Sequence, residues 1–179
     1  DEATGNIRAE SGFSLLQANR TFWKRGFSVP VAPGTQFITL GGMVAADVHG
    51  KDHHATGGFG GHVSSIRMRL ASGDIVEASR TTNADLFKAT IGGMGLLGHI
   101  LDVTFRMPRI FSPWMAIETE RMPDTDSYLA GLKEAAKRFP FTMGWIDTLG
   151  VSGTPGRGIL MRGRWASAEE GLPGMPAPL

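Results

Sequence analysis

Seven glycines fall within the 21 residues from Gly41 to Gly61, and four more within the seven from Gly92 to Gly98. A residue without a Cβ loses the most conformational freedom on folding and weakens both helix and strand. Neither stretch is therefore expected to be an ordinary helix or strand. Each reads as chain that must bend sharply or lie close against another group. In the first stretch, Gly41-Gly42 lets the backbone approach a flat or phosphorylated ligand and present bare amides to it. Small residues follow (Ala45, Ala46), and then Asp47, His49 and Lys51 alternate. If that piece is extended, the three polar side chains share one face, where a cation and a titratable imidazole suit a redox cofactor and a substrate hydroxyl. Neither GxGxxG nor GxxxxGK[ST] occurs, so a Rossmann or P-loop reading has no motif. A tight turn, the commonest use of a glycine pair, stays open beside the ligand reading.

Two further clusters have competing uses. His49, His53 and His54 could ligate a metal, and 49/53 has i,i+4 spacing. However, Gly50, Gly57 and Gly58 oppose the helix that this spacing needs, and no complete ligand set is in view, so no metal is expected. Gly92-Gly93-Met94-Gly95, with Gly98 after it, stands between a helix and a strand. It is either a connector or a chain passing close to a ligand. Arg157, Arg162 and Arg164 could bind an anion, although a solvated strand face is their commoner use.

Charge and composition remove several function classes. Eighteen basic residues against 17 acidic ones give a net charge of +1. That leaves no bulk positive charge to hold nucleic acid or an anionic membrane surface. The 41% hydrophobic and 20% charged fractions are those of a globular chain. With no cysteine there is no disulfide, thiolate nucleophile or Cys-ligated cluster. No apolar run approaches the roughly 18 to 20 residues of a membrane span. The chain opens on Asp1 with no signal-like segment and ends in GLPGMPAPL, so both ends read as cut and targeting is not readable from this stretch.

The periodicity predicts an α+β chain. A helix is expected from Ser14 to Arg25 with Gly26 as its stop, and a hairpin from Val63 to Leu70 and Ile75 to Ala78. Asn83 should cap a helix over Ala84 to Thr90, and Ile100 to Met107 reads as an apolar strand. After Pro108 a strand over Trp114 to Glu118 precedes a helix capped by Asp124. Strands at Phe141 to Ile146 and Ile159 to Trp165 follow, around a Gly/Pro loop from Gly150 to Gly158. Two units are expected, 1–109 and 110–179.

The run PGT-x4-GG-x4-D-x-HGKxHH, then FG-x-HV at Phe59 to Val63 and DLF-x-AT-x-GG-x-G at Asp85 to Gly95, resembles FAD-linked oxidases of the vanillyl-alcohol oxidase/p-cresol methylhydroxylase type. The likeness continues through Trp145-Ile146-Asp147, Gly156-Arg157 and Arg162-Gly163-Arg164. The resemblance implies that residues 1–109 are the later part of a PCMH-type FAD-binding domain and that 110–179 begin a substrate domain. It implies non-covalent FAD along Gly34, Thr39, Leu40, Gly41, Gly42, Ala46, Asp47, Val48, His49 and Ile100, with His49 and Lys51 at the flavin face. His49 also resembles a position where relatives carry a covalent flavin link. The implied reaction is oxidation of a secondary alcohol by hydride transfer to flavin N5. The implied substrate is the 2′-hydroxyl of a polyprenyl-phosphate pentose, a cell-wall arabinan precursor, or another small hydroxylated molecule. A reductase or epimerase partner and a cytoplasmic or membrane-associated location are further implications. The family's pyrophosphate loop and its later active-site lysine and tyrosine are expected outside residues 1–179, which would leave this stretch alone inactive. A non-catalytic ligand-binding piece is the alternative.

Overall fold

A computed structural model describes residues 1–149 and 156–170. Among these residues two antiparallel sheets form, each with its own apolar cluster. The first sheet holds β1 (Asn6–Glu10), β2 (Val63–Arg69), β3 (Ile75–Ser79) and β4 (His99–Arg106) in the order β1-β4-β2-β3. The second holds β5 (Met115–Met122), β6 (Phe141–Ile146) and β7 (Gly158–Trp165) in the order β5-β7-β6. Mixed helix and antiparallel sheet make this an α+β chain, as the periodicity predicts. The loop expected from Gly150 to Gly158 lies largely outside the described residues, as does the Gly/Pro segment after residue 170.

Local chemistry explains the helices of the first unit. Ser14 opens α1 (Leu15–Phe22) with a capping box: its Oγ accepts from Gln17 N at 3.2 Å and its own N–H donates to Gln17 Oε1 at 2.9 Å. A short 3₁₀ turn, Trp23–Arg25, ends at Gly26 with φ +75°, the left-handed stop expected there. Asn83 does precede α4 (Ala84–Thr90), but it sits at φ +48° and its amide donates to Glu77 O, so its side chain braces β3 and caps nothing.

The first core forms where β2 and β4 turn one face inward. Ile66, Met68, Val103 and Phe105 are wholly buried, and Phe59 meets Phe105 edge-on at 5.3 Å. Register shifts at Val63/Ser65 and Arg67/Met68 re-phase β2, so Val63 also points in despite its odd spacing from Ile66. In the second unit Asp124 Oδ1 accepts from Ser127 N at 2.7 Å and starts α5 (Thr125–Arg138), which buries Tyr128 and Ala135 against Met122 and Leu160. None of the described helices is long and apolar enough to cross a membrane.

Candidate functional site

The segment after the first glycine pair is not extended. Asp47 adopts φ +39°, which turns the chain and breaks the alternation that would put Asp47, His49 and Lys51 on one face. Asp47 instead faces the next glycines: its Oδ1 accepts from Gly60 N at 2.8 Å, and a Cβ on Gly58 would lie 2.7 Å from that oxygen. The FG motif thus serves to let Asp47 pin the loop.

Beyond Asp47 the chain docks on residues 31–33. Lys51 N donates to Ala32 O at 3.2 Å, and Ala32 N donates to the buried Asp52 carboxylate at 3.1 Å. The Lys51 ammonium reaches Pro33 O at 3.4 Å. Gly50 is required here by space, since a Cβ would stand 2.5 Å from Ala32 O and 2.6 Å from its C and N. Immediately before this lock, buried Val31 is held at φ +70°. That conformation costs a β-branched residue about 1–3 kcal/mol and persists only where its surroundings impose it. The two bonds to Ala32 are that imposition.

Gly41 and Gly42 lie inside a helix, contrary to the expectation for a glycine-rich stretch. Helix α2 spans Leu40–Ala45 and is capped by Thr39, whose Oγ1 accepts from Gly42 N at 3.3 Å. Its propensity is poor, but Leu40, Met43 and Val44 are fully buried, and burial of an apolar face outweighs about 1 kcal/mol of glycine penalty each. Gly41 is small because α2 packs on the end of β1: its N–H donates to Ser11 O at 2.9 Å and a Cβ would meet Ser11 Cβ at 2.9 Å. The second glycine cluster caps the other end. Gly92 N donates to Val44 O at 3.0 Å and Met94 N to Ala45 O at 2.8 Å. It closes α2, a role its sequence does not announce.

The three histidines separate. His49 meets His53 edge-on at 5.6 Å, while His54, in the short α3 (His53–Thr56), turns its Nε2 to Phe139 O at 2.9 Å. Among the described residues no three His, Cys, Asp or Glu are grouped to hold a metal ion. The arginines considered as anion ligands are paired with carboxylates. Arg157 bonds Asp147, Arg162 bonds Glu118 and Glu120, and Arg164 bonds Glu170. The hydrogen bonds from Arg164 pull the Glu170 carboxyl down to about 2.

A cleft of about 940 Å³ runs between the two units. Its walls include the segment Phe27 to Phe37, Asp52, and Arg106 to Arg109, and from the second unit Pro140, Phe141 and Trp165. Of the cofactor candidates, Gly34 lines it. Thr39, Leu40, Gly41, Gly42, Ala46, Asp47, Val48, His49 and Ile100 do not, and neither does Lys51. Ile100 is buried in β4 beside Met68. Lys51 nevertheless abuts the cleft through Pro33, whose carbonyl it bonds. The wall chemistry suits a ligand with a flat apolar part and an anionic part. Phe27, Val29, Val31, Phe141 and Trp165 supply the first, and Arg106 and Arg109 the second, with Arg109 lying over Phe27 at 4.6 Å. Asp52, Pro140, Phe141 and Trp165 carry no motif of their own and come to this cleft through the fold alone.

Comparison with known proteins adds an independent line. Residues 1–79 match the family described as FAD binding domain. The decaprenylphosphoryl-beta-D-ribose oxidase of Mycolicibacterium smegmatis is 31% identical over 95% of this chain and 37% of its own length. An uncharacterised Streptomyces coelicolor protein is 33% identical over 80% of this chain and 39% of its own. L-gulonolactone oxidase of Scyliorhinus torazame is 28% identical over 70% of this chain and 27% of its own. The chain therefore spans less than two-fifths of the length of these relatives.

Proposed function

The chain belongs to the FAD-linked oxidases, and from that premise we propose that the protein it comes from oxidises a secondary alcohol of a sugar-like substrate with non-covalently held FAD. The observation that carries this reading is the lock between residues 31–33 and 50–52, which brings the Lys51 ammonium onto the carbonyl of Pro33, a wall residue of a cleft with apolar and cationic lining. When bound, FAD supplies the two-electron acceptor that no side chain here can provide. The chain's own residues do the rest. Phe27, Val29, Val31 and Gly34 give the flat part an apolar bed, and Arg106 and Arg109 balance negative charge. Lys51 holds the substrate's phosphate or hydroxyl, and His49 takes up the hydroxyl proton at an imidazole nitrogen. In this reading residues 1–109 are part of the FAD-binding domain and 110–179 open the substrate domain, a division supported by the two separate apolar clusters.

The substrate we favour is the 2′-hydroxyl of a polyprenyl-phosphate pentose, on the strength of the name of the mycobacterial relative and the HGKxHH segment. L-gulonolactone, the substrate class named in another relative, is the competing choice. The full-length protein should be yellow and should release its flavin on denaturation. A colourless protein that cannot be loaded with FAD would end the proposal. Turnover of a polyprenyl-phosphate pentose and of L-gulonolactone separates the two substrates. His49→Ala and Lys51→Ala are each expected to lower turnover by about 10²-fold, the scale of a lost proton acceptor or positioning group, while most FAD stays bound. Variants that lose all their flavin would show both residues to be structural.

A further inference from the structure

Two hydrogen bonds fasten the loop carrying Lys51 to the start of β6, and they bracket the residues that close the cleft. Thr142 N donates to Lys51 O at 2.9 Å, and the His54 ring meets Phe139 O at 2.9 Å. A carbonyl only accepts, so His54 Nε2 carries the hydrogen. Between the two anchored positions lie Pro140 and Phe141, both in the cleft wall. Phe141 is buried and packs edge-on against Trp165 at 5.8 Å, and Trp165 is a wall residue as well. The opposite side of α3 is tied to the same cleft: Asp52, which precedes the helix, bonds Ala32, and Thr56 lines the cavity. A single turn of helix thus touches both walls. One wall comes from the 31–33 segment and the other from the second unit.

We propose that His54 is a positioning residue that sets the Phe141–Trp165 wall at a fixed distance from Lys51. The proposal rests on the functional reading above only for what the cleft holds. The geometry of the clamp is independent of it. His53 and His49 do not share this role, since their rings pack edge-on against one another. Thr142 alone would leave the stretch from the end of α5 to β6 tied to the Lys51 loop at one point, with its other bonds, from Phe139 N to Ala135 O and along β7, running away from that loop.

The test compares His54→Ala with His54→Gln in the full-length protein, because a glutamine side-chain amide can still donate to Phe139 O from a similar reach. The first readout is amide hydrogen exchange over residues 139–146, which needs no bound flavin and no turnover. His54→Ala should speed exchange of the Thr142 amide about 5- to 10-fold, the scale of one lost hydrogen bond, and His54→Gln should restore most of the protection. The second readout is kinetic: the KM of the oxidised substrate should rise about tenfold in His54→Ala with kcat changed much less, as expected when a binding wall loosens and the reacting groups do not move. Unchanged exchange at Thr142 in His54→Ala, or glutamine behaving like alanine in both readouts, overturns the clamp. A colourless parent protein whose exchange still responds to His54→Ala would reject the flavin reading and leave the clamp standing.

Discussion

Gly50→Ala should strip the full-length protein of most of its FAD and lower its stability by about 3 kcal/mol, the upper end of the usual overpacking cost. The reason is that the added methyl group has no soft neighbour to displace. It would stand within 2.6 Å of three backbone atoms of Ala32, where a flexible side chain could have swung aside. Ala32 in turn is fixed at both ends, by Lys51 N on its carbonyl and by the Asp52 carboxylate on its amide. Relief therefore requires breaking the lock, which frees Val31 from its φ of +70° and lets the cleft wall relax away from Lys51. Gly12→Ala is the matching control, because a Cβ there meets nothing within 4 Å. Flavin absorbance per protein and the urea midpoint decide the matter. A Gly50→Ala protein that keeps a full complement of FAD and the parental midpoint would mean that the 31–33/50–52 pairing does not shape the site.

What the sequence could reveal follows the range of the interactions involved. The helix start at Ser14, the stop at Gly26, the hairpin of β2 and β3 and the Asp124 cap are each decided within a few residues, and all stand in the structure as the spacing predicts. The glycine-rich stretch was legible as a place of close approach but not as α2. What makes residues 40–45 helical is the burial of Leu40, Met43 and Val44 against a sheet whose strands β1 and β4 begin about 35 residues before and about 60 residues after the helix. The alternation of Asp47, His49 and Lys51 misled because one left-handed residue resets the phase of everything after it. The contact of His54 with Phe139, and the places of Asp52 and Phe141 in the cleft wall, offered no signal, since the partners lie up to 85 residues away and the second unit must have folded for them to meet.

Asp102 tests the same point from the other side of the first sheet, and its removal should cost about 2–3 kcal/mol at neutral pH. It sits in the middle of β4 with its side chain only 9% exposed, and takes Arg8 Nε on one oxygen and Arg67 Nε on the other, both at 2.6 Å. Burial by itself would raise its pKa, but the two arginine hydrogen bonds outweigh burial and hold the carboxyl below the ordinary range. Breaking a fully buried ion pair costs about 3–5 kcal/mol. Here the guanidinium groups are about half exposed and can rehydrate, which trims that figure. The pH dependence follows from the sign of the shift. A carboxyl depressed in the folded protein contributes its stability above the unfolded value near 4 and loses it as pH falls through the lower folded value. Asp102→Asn keeps the shape but not the charge. The urea midpoint of the parent should therefore exceed that of Asp102→Asn at pH 7, and the gap should narrow steadily below about pH 4. A gap of the same size at pH 7 and pH 2.5 would show that the difference does not come from the charge of Asp102, and the cross-strand row Arg8–Asp102–Arg67 would lose its electrostatic role.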